Sequence, residues 1–292
     1  MEAFSLTRTV RLCVSPLIGA HSRTDATNVA ANGLLGVPAP LGIAAIAEIA
    51  VTCVGTPAAS GYLVDIAIID RVIRAEATPR LSAGLRAECE TGVPTAMPAL
   101  LAELARAVAP LLPAKLTRLS WSPMCGGAQS PFRSITVDLS PSTLTLSELP
   151  AMPHQLLLTE TFEFAASHRL HLSDRSDADN QALFGKCNNP NGHGHNYRIE
   201  VAVAMNHATN ANDRQSHDFT TIQRVVHQEI VTRFDHRHLN LDCPEFATRN
   251  PSVENIAVVC YELLAPRFAS IDSRLEFVRV WETDKTSCRY PA

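Results

Sequence analysis

The feature that most constrains this 292-residue chain is an internal repeat. Residues 65–73 parallel residues 218–226, each run opening on an aspartate (Asp65, Asp218) suited to cap a helix N-terminus. Gly92-Val93-Pro94-Thr95 then parallels Arg249-Asn250-Pro251-Ser252, and Leu119-Ser120-Trp121 parallels Arg279-Val280-Trp281, in the same order and at similar spacing. A repeat calls for two copies of one unit rather than a single large core, and the length suits a pair of domains. Residues 141–155 carry Pro141, Pro150 and Pro153 among several Ser and Thr, the composition of a linker. The expected domains are therefore 1–140 and 156–292.

Each copy gives the same series, β-β-α-α-β-β. In the second copy, strands are expected near 156–166 and 196–205, helices after Asp218 and Ser252, and strands near 275–281 and at the C-terminus. This is an α+β pattern in which an antiparallel four-stranded sheet carries two helices on one face. An apolar run from 33 to 55 reaches the length of a membrane span, but Glu48 sits inside it and Pro38, Pro40 and Gly42 interrupt its start. It reads as a loop followed by a buried strand.

With 46% hydrophobic residues and a net charge of -4, the chain can build an aliphatic core and offers no electrostatic surface for nucleic acid or membrane. Its eight cysteines are scattered, without a Cys-x-x-Cys pair or disulfide framework, which fits reduced thiols in a cytoplasm.

The segment richest in chemistry is Cys187-Asn188-Asn189-Pro190-Asn191-Gly192-His193-Gly194-His195. On an extended backbone alternate residues share a face, so His193 and His195 sit about 7 Å apart at Cα and can converge on one ion. A third imidazole is available from His168 at the end of the preceding strand, with His171 as the alternative. Three neutral imidazoles without a fourth protein ligand form the pattern of a catalytic zinc site, whose vacant position takes water or substrate.

Five runs then resemble the successive signatures of the 6-pyruvoyl-tetrahydropterin synthase family: residues 166–170, 187–197, 234–240, 253–257 and 280–283. The resemblance implies a tunnelling fold, or T-fold, whose sheets from several subunits close into a barrel with sites at subunit interfaces. It implies zinc (Zn2+) on His168, His193 and His195, Cys187 as catalytic base, and Asp235 with His236 as proton-transfer partners. Glu282 would anchor the pterin ring, with Glu254 and Ser252 beside it. The implied reaction converts 7,8-dihydroneopterin triphosphate, the small-molecule substrate, to 6-pyruvoyl-tetrahydropterin with loss of triphosphate. The alternatives are a 6-carboxy-tetrahydropterin synthase of deazaguanine biosynthesis and a non-catalytic pterin-binding scaffold. Five residues separate Cys187 from His193, and this spacing favours the pyruvoyl branch.

The first copy lacks the set. Its counterpart of the histidine pair falls near residues 40–43, it has no Asp-His pair, and Ser122 falls where Glu282 would be expected. A catalytically silent T-fold copy is the expectation. Three tandem chains would then supply six T-fold units, a homotrimer imitating a hexamer.

Overall fold

The structure, a computed structural model, describes residues 4–18, 31–32, 37–38, 44–123, 133–139, 155–205, 219–271 and 273–292. The chain divides into two compact units, Met1–Leu157 and Leu158–Ala292.

In the first unit, β1 (Phe4–Val14) and β4 (Ala45–Gly55) run antiparallel in unbroken register from Phe4↔Gly55 to Val14↔Ala45. Between them, β2 (Ala31–Asn32) and β3 (Val37–Pro38) form a ladder of their own. Strand alternation drives the long pairing: Ala47, Ile49, Val51 and Cys53 are buried at every second position, and Val10 and Leu12 face Ile49 and Ala47 across the ladder. The apolar run after residue 44 is thus a buried strand, as the sequence implies, and no described helix is long and apolar enough to cross a membrane.

Two helices follow, α1 (Ile66–Thr91) and α2 (Met97–Val108). Asp65 caps α1 by accepting the Ala67 N–H, and Gly92, at φ 68°, ends it in the left-handed conformation that glycine adopts without penalty. Ile69, Ile73, Ala77 and Leu81 recur at helical spacing on the buried side of α1. Strands β5 (Lys115–Pro123) and β6 (Arg133–Asp138) complete the order β1-β4-β5-β6.

The second unit repeats the series with additions. Strand β7 (Gln155–His168) leads through α3 (Asp177–Phe184) to β8 (His193–Met205). Of the expected linker only Gln155 is among the described residues, where it opens β7; residues 141–154 and Asp218 lie outside them. Helix α4 (Phe219–Val226) continues through a π-helical turn, His227–Val231, into α5 (Thr232–Phe234). A short β9 (Arg237–His238) and α6 (Leu239–Asp242) precede α7 (Val253–Ala269), and β10 (Ser273–Thr283) and β11 (Thr286–Tyr290) close the unit.

The second unit departs from a purely antiparallel four-stranded sheet. Its strand order is β7-β8-β10-β11, but β9 adds a fifth strand, parallel to the end of β7, through Ala166↔Arg237 and Ser167↔His238. Two residues suffice for this pairing, too few to leave a period-2 signal in the sequence. Val278 and Val280 pair with Val201 and Ile199, all four fully buried, on a face that α7 packs with Ile256, Cys260 and Leu264. The core therefore lies between the sheet and α7, and the ends of β7 and β8 project the residues of the site.

Candidate metal and pterin site

His168 is the last residue of β7, and His193 and His195 open β8 on either side of Gly194. Their ring centroids lie 4.5 Å (His168–His193), 5.2 Å (His168–His195) and 5.0 Å (His193–His195) apart. One ligand nitrogen from each ring lies within 4.8 Å of the others, the one group of three such residues suited to a cation among the described residues. His171, the alternative third ligand, instead directs Nδ1 to Asn188 Oδ1 at 3.1 Å.

His168 is fully buried, and its Nδ1 lies 2.7 Å from the Pro251 carbonyl oxygen. A carbonyl only accepts, so Nδ1 carries the proton and Nε2 presents its lone pair to the cluster. Burial pushes the His168 pKa down to about 4, with the neighbouring histidines adding to the shift and the Pro251 bond opposing it. Burial lowers His193 too, helped by His195 and opposed by Glu282. These two rings are therefore neutral near pH 7, the form that ligates metal.

Several observations fit a divalent cation here. His193 Nδ1 and His195 Nε2 are buried without a hydrogen-bond partner, a costly condition that coordination at His195 would relieve directly. Nitrogens bound 2.0–2.1 Å from a tetrahedral zinc lie about 3.3 Å apart, and His168 Nε2 and His193 Nε2 are separated by 3.1 Å. The Pro251 carbonyl supplies the outer hydrogen bond that ligating histidines characteristically make.

Cys187 occupies a 3₁₀ turn, Gly185–Asn188, as a half-buried free thiol. The turn is tied to the strand end through Leu170 N–H donating to the Cys187 carbonyl at 2.9 Å. Arg169 Nε donates to both the carbonyl and the side-chain oxygen of Asn188. At its other end, Gly192 has φ 72°, and a Cβ there would meet His238 Nε2 at 2.8 Å and the His168 carbonyl oxygen at 3.0 Å.

Asp235 follows α5 and accepts the Ala165 N–H at 2.8 Å through one oxygen, while the other lies 2.9 Å from His236 Nδ1. The Ala165 bond and then the His236 contact hold its carboxyl below the usual range. His236 adopts φ 57°, donates its backbone N–H to Ala165 at 2.6 Å, and leaves its ring 84% exposed. A cavity of about 440 Å³ opens beside it, lined among others by Ser167, His195, His236 and His238.

Glu282, near the end of β10, directs Oε1 to within 3.4 Å of His168 Nε2 and 3.7 Å of His195 Nε2. Ser252 caps α7 by accepting the Asn255 N–H, and Glu254 is exposed in the first turn of that helix. The structure thus brings His168, His193, His195 and Glu282 together in one cluster. Asp235 and His236 form a second group, of which His236 shares the cavity lining with His195.

Residues 157–292 match the family model described as 6-pyruvoyl tetrahydropterin synthase. The 6-pyruvoyl tetrahydrobiopterin synthase of Homo sapiens is 36% identical over 138 residues, covering 47% of this chain and 91% of the relative. This chain belongs to the 6-pyruvoyl tetrahydropterin synthase family. The relative of the same name from Poecilia reticulata is 35% identical over 136 residues, covering 46% of this chain and 88% of its own. The solved structure of Caenorhabditis elegans 6-pyruvoyl tetrahydropterin synthase is 31% identical, with a TM-score of 0.43, over 47% of this chain and 96% of that one.

Sequence reasoning missed two side chains of this family member's site. Tyr197 is fully buried, stacks on Phe164 at 5.1 Å and sets its ring against His168 and His195 at 6.0 and 5.6 Å. Its signal was available, because position 197 continues the alternation of 193 and 195. His238 is half-buried and lines the cavity.

Proposed function

We propose that this protein is a zinc-dependent lyase converting 7,8-dihydroneopterin triphosphate to 6-pyruvoyl-tetrahydropterin with elimination of triphosphate. The observation that carries this reading is the convergence of three imidazoles, His168, His193 and His195, in a chain whose relatives are named for that synthase activity. Those three residues would hold the zinc. When bound, the ion supplies Lewis acidity to the side-chain hydroxyls of the substrate, making protons on the adjacent carbons easier to remove.

Each of the chain's other residues then has a task. Cys187 would serve as the base that takes a carbon-bound proton. Asp235 holds the Nδ1–H of His236, so His236 Nε2 faces outward and can receive or return a proton. Glu282 accepts hydrogen bonds from the amino and ring N–H groups of the pterin, fixing the reacting side chain relative to the base. Ser252 and Glu254, at the start of α7, flank that ring.

We further read residues 1–140 as a catalytically silent T-fold copy and 156–292 as the catalytic one. The matching strand orders β1-β4-β5-β6 and β7-β8-β10-β11, each enclosing helices, support this. A trimer of tandem chains in the cytoplasm completes the reading, and the unpaired described cysteines agree with a reducing compartment.

The test is product identification from dihydroneopterin triphosphate with zinc-loaded protein. Released triphosphate with 6-pyruvoyl-tetrahydropterin is the expected result. A 6-carboxy product with acetaldehyde would assign the carboxy branch, and no turnover with tight pterin binding would assign a scaffold.

A further inference from the structure

One oxygen of Glu282 lies 3.4 Å from His168 Nε2 and 3.7 Å from His195 Nε2, and neither contact makes a good hydrogen bond. His168 carries its proton on Nδ1, where it meets the Pro251 carbonyl, so its Nε2 offers only a lone pair. That lone pair faces the Glu282 oxygen where His168 is fully buried and the Glu282 side chain is only 21% exposed. Electron-rich atoms aimed at one point away from water form an arrangement that a cation between them satisfies.

The backbone aims this carboxylate. The β10–β11 pairing runs Trp281↔Ser287 and then Thr283↔Thr286, so the register slips at Glu282. A bulge leaves its residue unpaired and redirects the side chain, a device common beside active sites. The spacings agree as well. Ligand atoms 2.0–2.2 Å from a tetrahedral zinc are about 3.3–3.5 Å apart, close to the 3.4 and 3.7 Å from Glu282 and the 3.1 Å between His168 and His193.

We infer that in the substrate-free protein Glu282 is the fourth protein ligand of the metal and surrenders that position when the N–H groups of a pterin draw its carboxylate away. The inference rests on the metal site and pterin anchor proposed above and gives one carboxylate both tasks in succession. Ring recognition then governs access to the metal: the side-chain hydroxyls of a substrate reach it only once the ring has docked. A triphosphate compound without the pterin ring is excluded from the metal by the same device.

The experiment uses the full-length protein loaded with cobalt(II) for its visible spectrum, alongside zinc affinity measured by chelator competition. Glu282→Gln keeps the shape, and Glu282→Asp keeps the charge but shortens the reach by one methylene. The expected result is a loss of zinc affinity of roughly tenfold or more in both variants, the scale of losing a supporting metal contact, and a changed cobalt spectrum. Pterin without a 6-substituent cannot reach the metal through hydroxyls; it should shift the wild-type cobalt spectrum and leave that of Glu282→Gln unchanged.

Wild-type affinity and spectrum in Glu282→Gln would overturn the ligand assignment while leaving the three-histidine site standing. Wild-type affinity in Glu282→Asp alone would also overturn it, by showing that the charge acts at a distance. Failure of wild-type and variant alike to take up stoichiometric metal would withdraw the metal site itself, and this ligand with it.

Discussion

His168 gives its Nδ1 proton to the carbonyl of Pro251, 2.7 Å away, so the residue just before the cap of α7 fixes the tautomer of an imidazole at the end of β7. A helix start and a strand end, 83 residues apart in sequence, thereby set one imidazole of the cluster. The Ser252 cap that follows is long, at 3.5 Å, so its removal costs an amount at the low end for such caps. Ser252→Ala is expected to lower stability by about 0.5 kcal/mol and to weaken zinc binding severalfold. Urea denaturation and chelator competition measure both; a raised KM with unchanged stability would instead assign Ser252 to substrate contact alone.

The buried His168 makes stability pH-dependent in the metal-free protein. Its pKa falls from 6.5 to about 4 on folding, so between those values the unfolded chain binds more protons and stability drops as pH falls. The His168 contribution to this loss is on the order of 3 kcal/mol once the pH is below the folded value, and roughly 2 kcal/mol of it falls between pH 7 and pH 5. Urea midpoints of metal-free protein at pH 7 and pH 5 should differ by that smaller amount, and His168→Asn should flatten that slope. Equal slopes in wild type and variant would locate the effect elsewhere.

Gly192→Ala should damage the loop in two ways. The added methyl would sit 2.8 Å from His238 Nε2, which can rotate away, but also 3.0 Å from the His168 carbonyl oxygen, which cannot move without shifting β7. A side chain at φ 72° adds about 1–2 kcal/mol of backbone strain. Zinc affinity should fall with stability, and adding His238→Ala should restore only part of either. Full recovery in the double variant would show that the ring, not the backbone, carries the conflict.

Asp235→Asn is expected to spare the metal and impair the chemistry. The amide cannot match the charge of a carboxylate that accepts the Ala165 N–H at 2.8 Å and faces His236 Nδ1 at 2.9 Å. Turnover should fall by about 10²-fold or more, the scale of lost acid–base assistance, with zinc content unchanged. Metal loss in this variant would mean that the Asp235–Ala165 bond supports the histidine cluster itself.

Much of this site was legible because alternation is readable in a strand. His193 and His195 share a face by spacing alone, and His168 stands at the expected strand end. The helix start at Asp65 was legible from its capping chemistry, and that side chain caps as expected, while the helix expected after Ser252 begins at Val253. What the sequence withheld was mostly backbone. The Pro251 carbonyl that orients His168 has no residue-type signature, since every residue carries one. The π-helical turn at His227–Val231 and the two-residue β9 depend on tertiary packing rather than local pattern. The reach of Glu282 toward the histidines depends on a register slip that the hairpin sequence does not advertise.

His236 sits at φ 57°, where only glycine, and to a lesser degree asparagine or aspartate, is at ease. A library selected purely for heat tolerance will therefore favour replacing this imidazole, because easing the backbone is the simplest gain on offer there. The survivors would be sturdier and chemically mute. Any engineering campaign on this scaffold has to score turnover in the same round as melting temperature.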